Sequence, residues 1–299
     1  MRIRRHIGNA LILCCFAGVA SAQGPGTRVL LDAHNCYPYE GRWADRIERA
    51  LKTGLPVAIE QDLAWDGRRS LVSHEKKLHG GEPTMKEYFF ERVRPFVEES
   101  IRKNERRKWP LVVLNLDFKT NEPEHHRAVW ELLGEYEAWL TTARKGSRKL
   151  DWKPILVLTG DDDGQERVFT SGERLRVFGA VKVKRGEMPS AKATAYRRWW
   201  NNPWAVVEEG GQAKAGEWTA ADEKRLGELT STAHRLGLWI RFYTLNGHAK
   251  PEGAKSGWFD GYNFGSLEAA RVRWEAARRA KVDFIATDQY EDFAASAPK

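Results

Sequence analysis

Two histidines and three acids stand close behind apolar runs in the first half of the chain: His34, Glu60, Asp62, His74 and Asp117, with Lys119 two residues after the last. Imidazoles titrate near neutral pH, so His34 and His74 are suited to taking a proton from one group and giving one to another. Gathering Glu60, Asp62 and Asp117 in one place is unfavourable unless a cation sits among them, because like charges repel and burial strips each carboxylate of water. Hard oxygen ligands select Mg2+ or Ca2+ over softer metals, and no cysteine–histidine zinc spacing competes. One divalent ion held by these acids would bind a phosphoryl oxygen while the two imidazoles worked on either side of the phosphorus. Lys119 projects with Asp117 and is expected to contact a phosphate oxygen, and Lys182 and Lys184 add positive charge at the rim.

These residues need a scaffold that brings them to one end. Apolar stretches alternate with helical segments through most of the chain, the pattern of repeated βα units around a parallel sheet. Eight strands are expected, at Thr27–His34, Pro56–Leu63, Leu111–Lys119, Ile155–Thr159, Gly179–Val183, Ala205–Glu208, Leu238–Leu245 and Phe284–Thr287. Helices are expected at Trp43–Thr53, Thr84–Asn104, Glu122–Arg144, Ser171–Val177, Thr219–Leu236 and Leu267–Ala280. The stretch from Met188 to Trp204 shows no period and reads as a long loop carrying Trp199, Trp200 and Trp204, a candidate lipid contact together with Trp258.

Alternation within the strands sets the facing. Val112, Leu114, Leu116 and Phe118 form an apolar face; Val113, Asn115, Asp117 and Lys119 form the other. Glu60 and Asp62 share a face of the second strand, and Arg241 and Tyr243 share one of the seventh. The expectation is an α/β fold, a single TIM-type (β/α)8 barrel, with the polar faces pointing inward and the site at the C-terminal ends of the strands.

The 299 residues, 41% of them apolar, suffice for one large core. Arg2, Arg4 and Arg5 precede an apolar run from Ala10 to Ala20, and Ala20-Ser21-Ala22 supplies small residues for cleavage, so residues 1–22 read as a signal peptide and 23–299 as the barrel. An exported protein, periplasmic or secreted and starting near Gln23, is the expectation. The targeting run takes Cys14 and Cys15 with it, which leaves Cys36 without a partner for an internal disulfide. No stretch is long and apolar enough for a transmembrane anchor. The net charge of +8, reduced by the loss of three N-terminal arginines, suits an anionic ligand. Dispersed Lys and Arg and the expected export argue against nucleic acid as partner, and glycine-rich phosphate loops are absent.

The segments LLDAHN, PVAIEQDLAW, LVSHE and LNLDFKT resemble the phospholipase-C-like phosphodiesterase superfamily, which includes glycerophosphodiester phosphodiesterases, phosphatidylinositol-specific phospholipases C and sphingomyelinases D. RFYTLN resembles its seventh strand and FIATDQYEDF its closing one. The resemblance implies a catalytic pair His34 and His74, metal ligands Glu60, Asp62 and Asp117, and substrate neighbours Lys119, Tyr243 and Asn246. Glycerophosphodiesterases usually carry Arg-Gly after the first histidine. Asn35-Cys36 here is closer to the altered-inheritance-of-mitochondria branch and to sphingomyelinase D. The implied activity is metal-dependent hydrolysis, or internal transfer by a lyase, of a glycerophosphodiester or phospholipid-like substrate. Two other readings remain: a non-catalytic anion- or lipid-binding barrel, and a glycosidase using Glu60 and Asp62 as an acid pair, although two flanking histidines suit metal and proton transfer better.

Overall fold

The computed structural model describes residues 23–39, 43–184, 186–249 and 260–297. Eight parallel strands form a closed barrel: β1 (Leu30–Ala33), β2 (Val57–Trp65), β3 (Val112–Phe118), β4 (Ile155–Thr159), β5 (Phe178–Ala180), β6 (Arg197–Pro203), β7 (Trp239–Tyr243) and β8 (Phe284–Thr287). Each pairs with the next, and β1 pairs with both β8 and β2, so no edge is left open within the barrel. Helices α1 (Arg46–Lys52), α2 (Glu91–Arg102), α3 (Pro123–Glu135), α4 (Asp163–Phe169), α5 (Ala220–Arg235), α6 (Leu267–Arg279) and α7 (Tyr290–Ala295) lie between and after the strands. A short strand, Ser70–Val72, folds back antiparallel on the end of β2. The expected signal peptide and Trp258 lie outside the described residues.

The apolar face of β3 is packed away from solvent. Val112, Leu114 and Leu116 are buried to within 1% of full exclusion, and the strand pairs along its length with β2 and over most of it with β4. In that register Asp62 lies directly opposite Asp117, and Glu60 opposite Asn115. On the other side of β1, Ala33 pairs with Thr287, which carries His34 and Asp288 out of the barrel side by side. Among the helices, α5 has the strongest start signal: Thr219 accepts from the Asp222 N–H while the Asp222 side chain accepts from Thr219 in return.

The sixth strand differs from expectation. Ala205–Glu208 is not a strand; Trp204–Val206 is a single 3-10 turn, and β6 runs through Arg197–Pro203, inside the stretch read as a loop. RRWWNNP does not alternate because residues on both faces of β6 are buried, and its polar members find specific partners. Arg198 donates to the Ala195, Ser147 and Arg148 carbonyls, and Trp199 Nε1 donates to the Thr159 carbonyl at 2.8 Å. Trp199, Trp200 and Trp204 are 1%, 3% and 0% exposed, so they are core residues and not a lipid-facing patch. Gly179 of the adjacent strand admits the Tyr196 ring where a Cβ would stand, so any larger residue would force that buried ring to shift.

Two further expectations are corrected. Ser171–Val177 is not a helix; it contains the two-residue strand Arg174–Leu175, which pairs with Thr142–Arg144, and α4 begins earlier, at Asp163. Asp162 caps α4 by accepting from the Gln165 N–H at 2.9 Å. The strand expected at Gly179–Val183 stops at Ala180, so Lys182 and Lys184 sit in the loop beyond β5.

Candidate active site

The strand ends place His34, Glu60, Asp62, His74, Asp117, Lys119, Tyr243 and Asn246 around one cavity of about 640 Å³. Glu60 and Asp62 point inward from β2, and Asp117 and Lys119 from β3 and its end. His74 arrives from the loop that follows the Ser70–Val72 strand. Carboxylate oxygens of Glu60, Asp62 and Asp117 all lie within 4.8 Å of one another, which is the spacing of a shared cation site.

Each catalytic candidate is oriented by a carboxylate. His34 Nδ1 lies 3.1 Å from Asp288 Oδ1, and His74 Nδ1 lies 2.7 Å from Asp62 Oδ2. An Nδ1–H held this way fixes the ring and leaves Nε2 for exchange with a ligand. The two differ in depth: the His34 side chain is 13% exposed and that of His74 51%. Tyr37 stacks on His74 with ring centroids 5.7 Å apart, and Tyr262 meets His34 edge-on at 6.3 Å.

The electrostatics reflect dense packing of charge. Burial disfavours the charged His34 ring, but Glu60 and Asp288 outweigh it and raise its pKa above the usual imidazole value. For Glu60, burial acts upward and Arg241, His34 and Lys119 overcome it, so its carboxyl stays below the usual range. Burial pushes Asp62 upward, with Asp117 and Glu60 adding to it against His74 and Lys119. The protein's own cations thus leave Asp62 under-compensated. Glu60 Oε2 is buried with no hydrogen-bond partner in the described structure. An orphaned buried carboxylate oxygen beside two further acids fits a divalent cation with oxygen ligands.

Lys119 Nζ spans Asp117 Oδ2 at 2.6 Å and Asp62 Oδ2 at 3.2 Å, at the site as expected. Tyr243 lines the cavity, its ring beneath the Arg241 guanidinium at 5.5 Å. Asn246 reaches the cavity wall with its amide committed: Nδ2 donates to Asp288 Oδ2, and Oδ1 accepts from the Asp288 N–H at 2.8 Å and from Thr287 Oγ1 at 3.0 Å. It therefore steadies the partner of His34. Lys184 is not in this cavity; it is exposed and lines an adjoining cleft of about 990 Å³ with Asp161, Asp162 and Arg167.

Sequence reasoning gave no role to four residues that build the site. Asp288 follows the last strand as part of Thr287-Asp288 and orients His34. Arg241, on the inward face of β7, donates through Nη2 to Glu60 Oε1 at 3.2 Å and through Nε to Asp32. Arg46, on α1, lies 2.9 Å from the Tyr290 hydroxyl and 3.3 Å from the His34 carbonyl, and Tyr290 donates to the same carbonyl. Asn35, at φ +55°, adopts the left-handed conformation that Asn tolerates, and its Nδ2 donates to Asp288 at 2.9 Å. The register of β1 with β8 could have signalled Asp288; Arg46 and Tyr290 meet only in three dimensions. Cys36 is fully buried against the Tyr290 hydroxyl at 3.2 Å, and burial pushes its thiol up to about 12, as befits a packed thiol and not a nucleophile.

His125 and His126 are completely buried, not surface residues as their helical context suggests. His125 bridges Ser70 Oγ at 2.8 Å and Thr120 Oγ1 at 2.9 Å and stacks on Trp65, which ties the end of β2 to the residue after Lys119. Burial drives its pKa down to about 4. A ring neutral in the fold but titrating near 6.5 when unfolded gives stability that is complete above pH 6.5 and is lost as pH falls toward 4. We expect the melting temperature to fall across that window, and His125→Gln to flatten the fall by an amount on the order of 2–3 kcal/mol. Equal slopes in wild type and variant would show that His125 does not titrate this way.

The chain matches no protein-family profile and no curated protein sequence. Similar solved structures include a glycerophosphoryl diester phosphodiesterase from Parabacteroides distasonis, with TM-score 0.45 and 14% identity over 90% of this chain and 86% of that one. A glycerophosphodiester phosphodiesterase from Agrobacterium tumefaciens gives TM-score 0.44 and 14% identity over 90% and 98%. HPPK-DHPS from Plasmodium falciparum gives TM-score 0.47 and 9% identity over 90% of this chain and 47% of that one. One barrel architecture hosts many chemistries, so the chemistry here is argued from the site's own residues.

Proposed function

We propose that the chain is a metal-dependent phosphoric diester hydrolase or phosphodiester lyase of the phospholipase-C-like kind, acting on a glycerophosphodiester or phospholipid-like substrate. The observation that carries this reading is the pairing of two imidazoles, each held through Nδ1 by its own carboxylate, with three acids whose oxygens share one small space. Glu60, Asp62 and Asp117 would hold the cation, which when bound supplies Lewis-acid stabilisation to a phosphoryl oxygen. Lys119 offers its ammonium to another oxygen of the same group. His34 and His74 divide proton removal from the attacking oxygen and proton delivery to the leaving one at their Nε2 atoms. Asp288 and Asp62 keep those rings in the required tautomer. Tyr37, Tyr243 and Tyr262 wall the cavity.

The acid-pair glycosidase reading gains nothing from this geometry. Asp62 Oδ2 already faces His74 and Lys119, Glu60 Oε1 faces Arg241, and one oxygen of each converges with one of Asp117 within 4.8 Å instead of flanking a sugar ring as a pair. Export with cleavage near Gln23 remains part of the proposal, with the N-terminal pattern as its support; mass spectrometry finding Met1 on the folded, active protein would refute it.

The base can deprotonate water or a hydroxyl already in the substrate, whichever lies in line. The likeness of Asn35-Cys36 to the sphingomyelinase D branch favours the internal hydroxyl. Phosphorus NMR of a reaction on a lysophospholipid or inositol phospholipid is then expected to show a cyclic phosphate before any monoester. A monoester alone from the first time point identifies water as the attacking group, and no turnover of any phosphodiester leaves the binding-barrel reading in place.

A further inference from the structure

The two oxygens of Glu60 have different surroundings. Oε1 accepts from Arg241 Nη2 at 3.2 Å, whereas Oε2 is buried without a hydrogen bond, 3.3 Å from His34 Nε2. Arg241 has little freedom to move away: Nε donates to Asp32, Nη1 donates to Asn201 Oδ1 at 3.1 Å, and the side chain is 2% exposed. The other two acids show the same division. Asp62 Oδ2 faces His74 Nδ1 at 2.7 Å and Lys119 Nζ at 3.2 Å, and Asp117 Oδ2 faces Lys119 Nζ at 2.6 Å. Each carboxylate thus has one oxygen held by a side chain of the protein, and the other oxygen of Glu60 faces His34 Nε2.

We infer that Arg241 is a positioning residue that keeps Glu60 a one-oxygen ligand and, with Lys119 and His74 acting likewise on the other acids, tunes the site to a small octahedral dication such as Mg2+ or Mn2+ over Ca2+. The inference rests on the reading of these acids as a metal site. Calcium takes about six to eight oxygens and readily uses both oxygens of a carboxylate, while magnesium demands a near-octahedral shell and keeps several waters. Three single oxygens supply half an octahedron and leave the rest for water and substrate. A carboxylate pinned at one oxygen by a rigid guanidinium fork cannot swing to offer two without breaking that contact.

The probe is Mn2+ bound to the purified chain, with coordinated water counted by water-proton relaxation and by pulsed electron paramagnetic resonance in deuterated water. Wild type is expected to hold about three waters on the ion. Arg241→Met combined with Asp32→Asn, which removes the buried ion pair as a unit, frees Glu60 Oε1 and is expected to lower the count to about two. In the same variant, calorimetric competition is expected to shift the Ca2+ to Mn2+ affinity ratio toward calcium on the order of tenfold or more. Arg241→Lys, which keeps the charge but not the fork, serves if the double variant does not fold; its ratio should shift the same way. A wild-type count of two or fewer, or a ratio unmoved by both variants, overturns the role given to Arg241. Failure of Mn2+, Mg2+ and Ca2+ alike to bind overturns the metal reading beneath it.

Discussion

Replacing His34 or His74 by alanine is expected to lower the turnover of a phosphodiester by about a hundred- to ten-thousand-fold each, the range that a positioned acid or base contributes. The double variant should lose little more than the worse single one. The reason is that proton removal and proton delivery belong to one displacement: once either is missing, the other no longer assists the rate-limiting event, and losses from residues acting as a unit do not multiply. Steady-state kcat and kcat/KM for the three variants decide this, with circular dichroism to confirm folding. His74, at 51% exposure, should tolerate removal without loss of fold. His34 is buried, so Asp288→Asn provides a gentler companion: it leaves the imidazole in place but weakens its orientation, and should lower kcat more than it raises KM. Losses that multiply in the double variant would assign the two rings to separate steps.

Most of the barrel was legible because six of its strands obey simple rules. β3 alternates strictly, and β4 and β8 are short apolar runs whose bounds, Ile155–Thr159 and Phe284–Thr287, agree with expectation to the residue. Where the reading failed, burial on both faces had erased the pattern. β6 hides Arg198 and Asn202 as well as its tryptophans, and the Arg198 guanidinium is satisfied by the Ser147 and Arg148 carbonyls of a loop distant in sequence, which no local period can encode. His125 and His126 are hidden from the sequence in a similar way, since a buried histidine with hydroxyl and amide partners looks in sequence like a surface one.

Within the site, the residues that face the cavity were legible and those behind them were not. Glu60, Asp62, Asp117 and Lys119 announce themselves as charges on otherwise apolar strands. Asp288, Arg46 and Tyr290 lie at the other end of the chain or on a helix, and they matter only because β1 closes against β8. Closure of the barrel is what turns residues some 250 apart into partners of His34. Lys184 shows the converse: its assignment assumed that β5 continued to Val183, and with the strand ending at Ala180 the side chain turns to the adjoining cleft.

Removing divalent metal should abolish activity, and Mg2+ should restore it. The argument is one of charge. Asp32, Glu60, Asp62, Asp117 and Asp288 crowd the end of the barrel, with Arg241 and Lys119 as the facing cations, and burial still leaves Asp62 raised and Glu60 Oε2 without a hydrogen bond. A dication resolves both at once, so it should stabilise the fold as well as the transition state. Saturation at about a hundredfold above the dissociation constant adds ~2.7 kcal/mol to stability, which for a domain of this size corresponds to a rise in melting temperature of roughly 5–10 °C. Asp62→Asn removes a ligand charge but keeps the hydrogen-bonding shape, and is expected to raise the metal concentration needed for half activity by about ten- to a hundredfold or more. The thermal and kinetic titrations should move together, because one ion at one site governs both. Full activity after exhaustive chelation would exclude a catalytic ion. A metal-induced rise in melting temperature that survives Asp62→Asn unchanged would place any bound ion elsewhere on the protein.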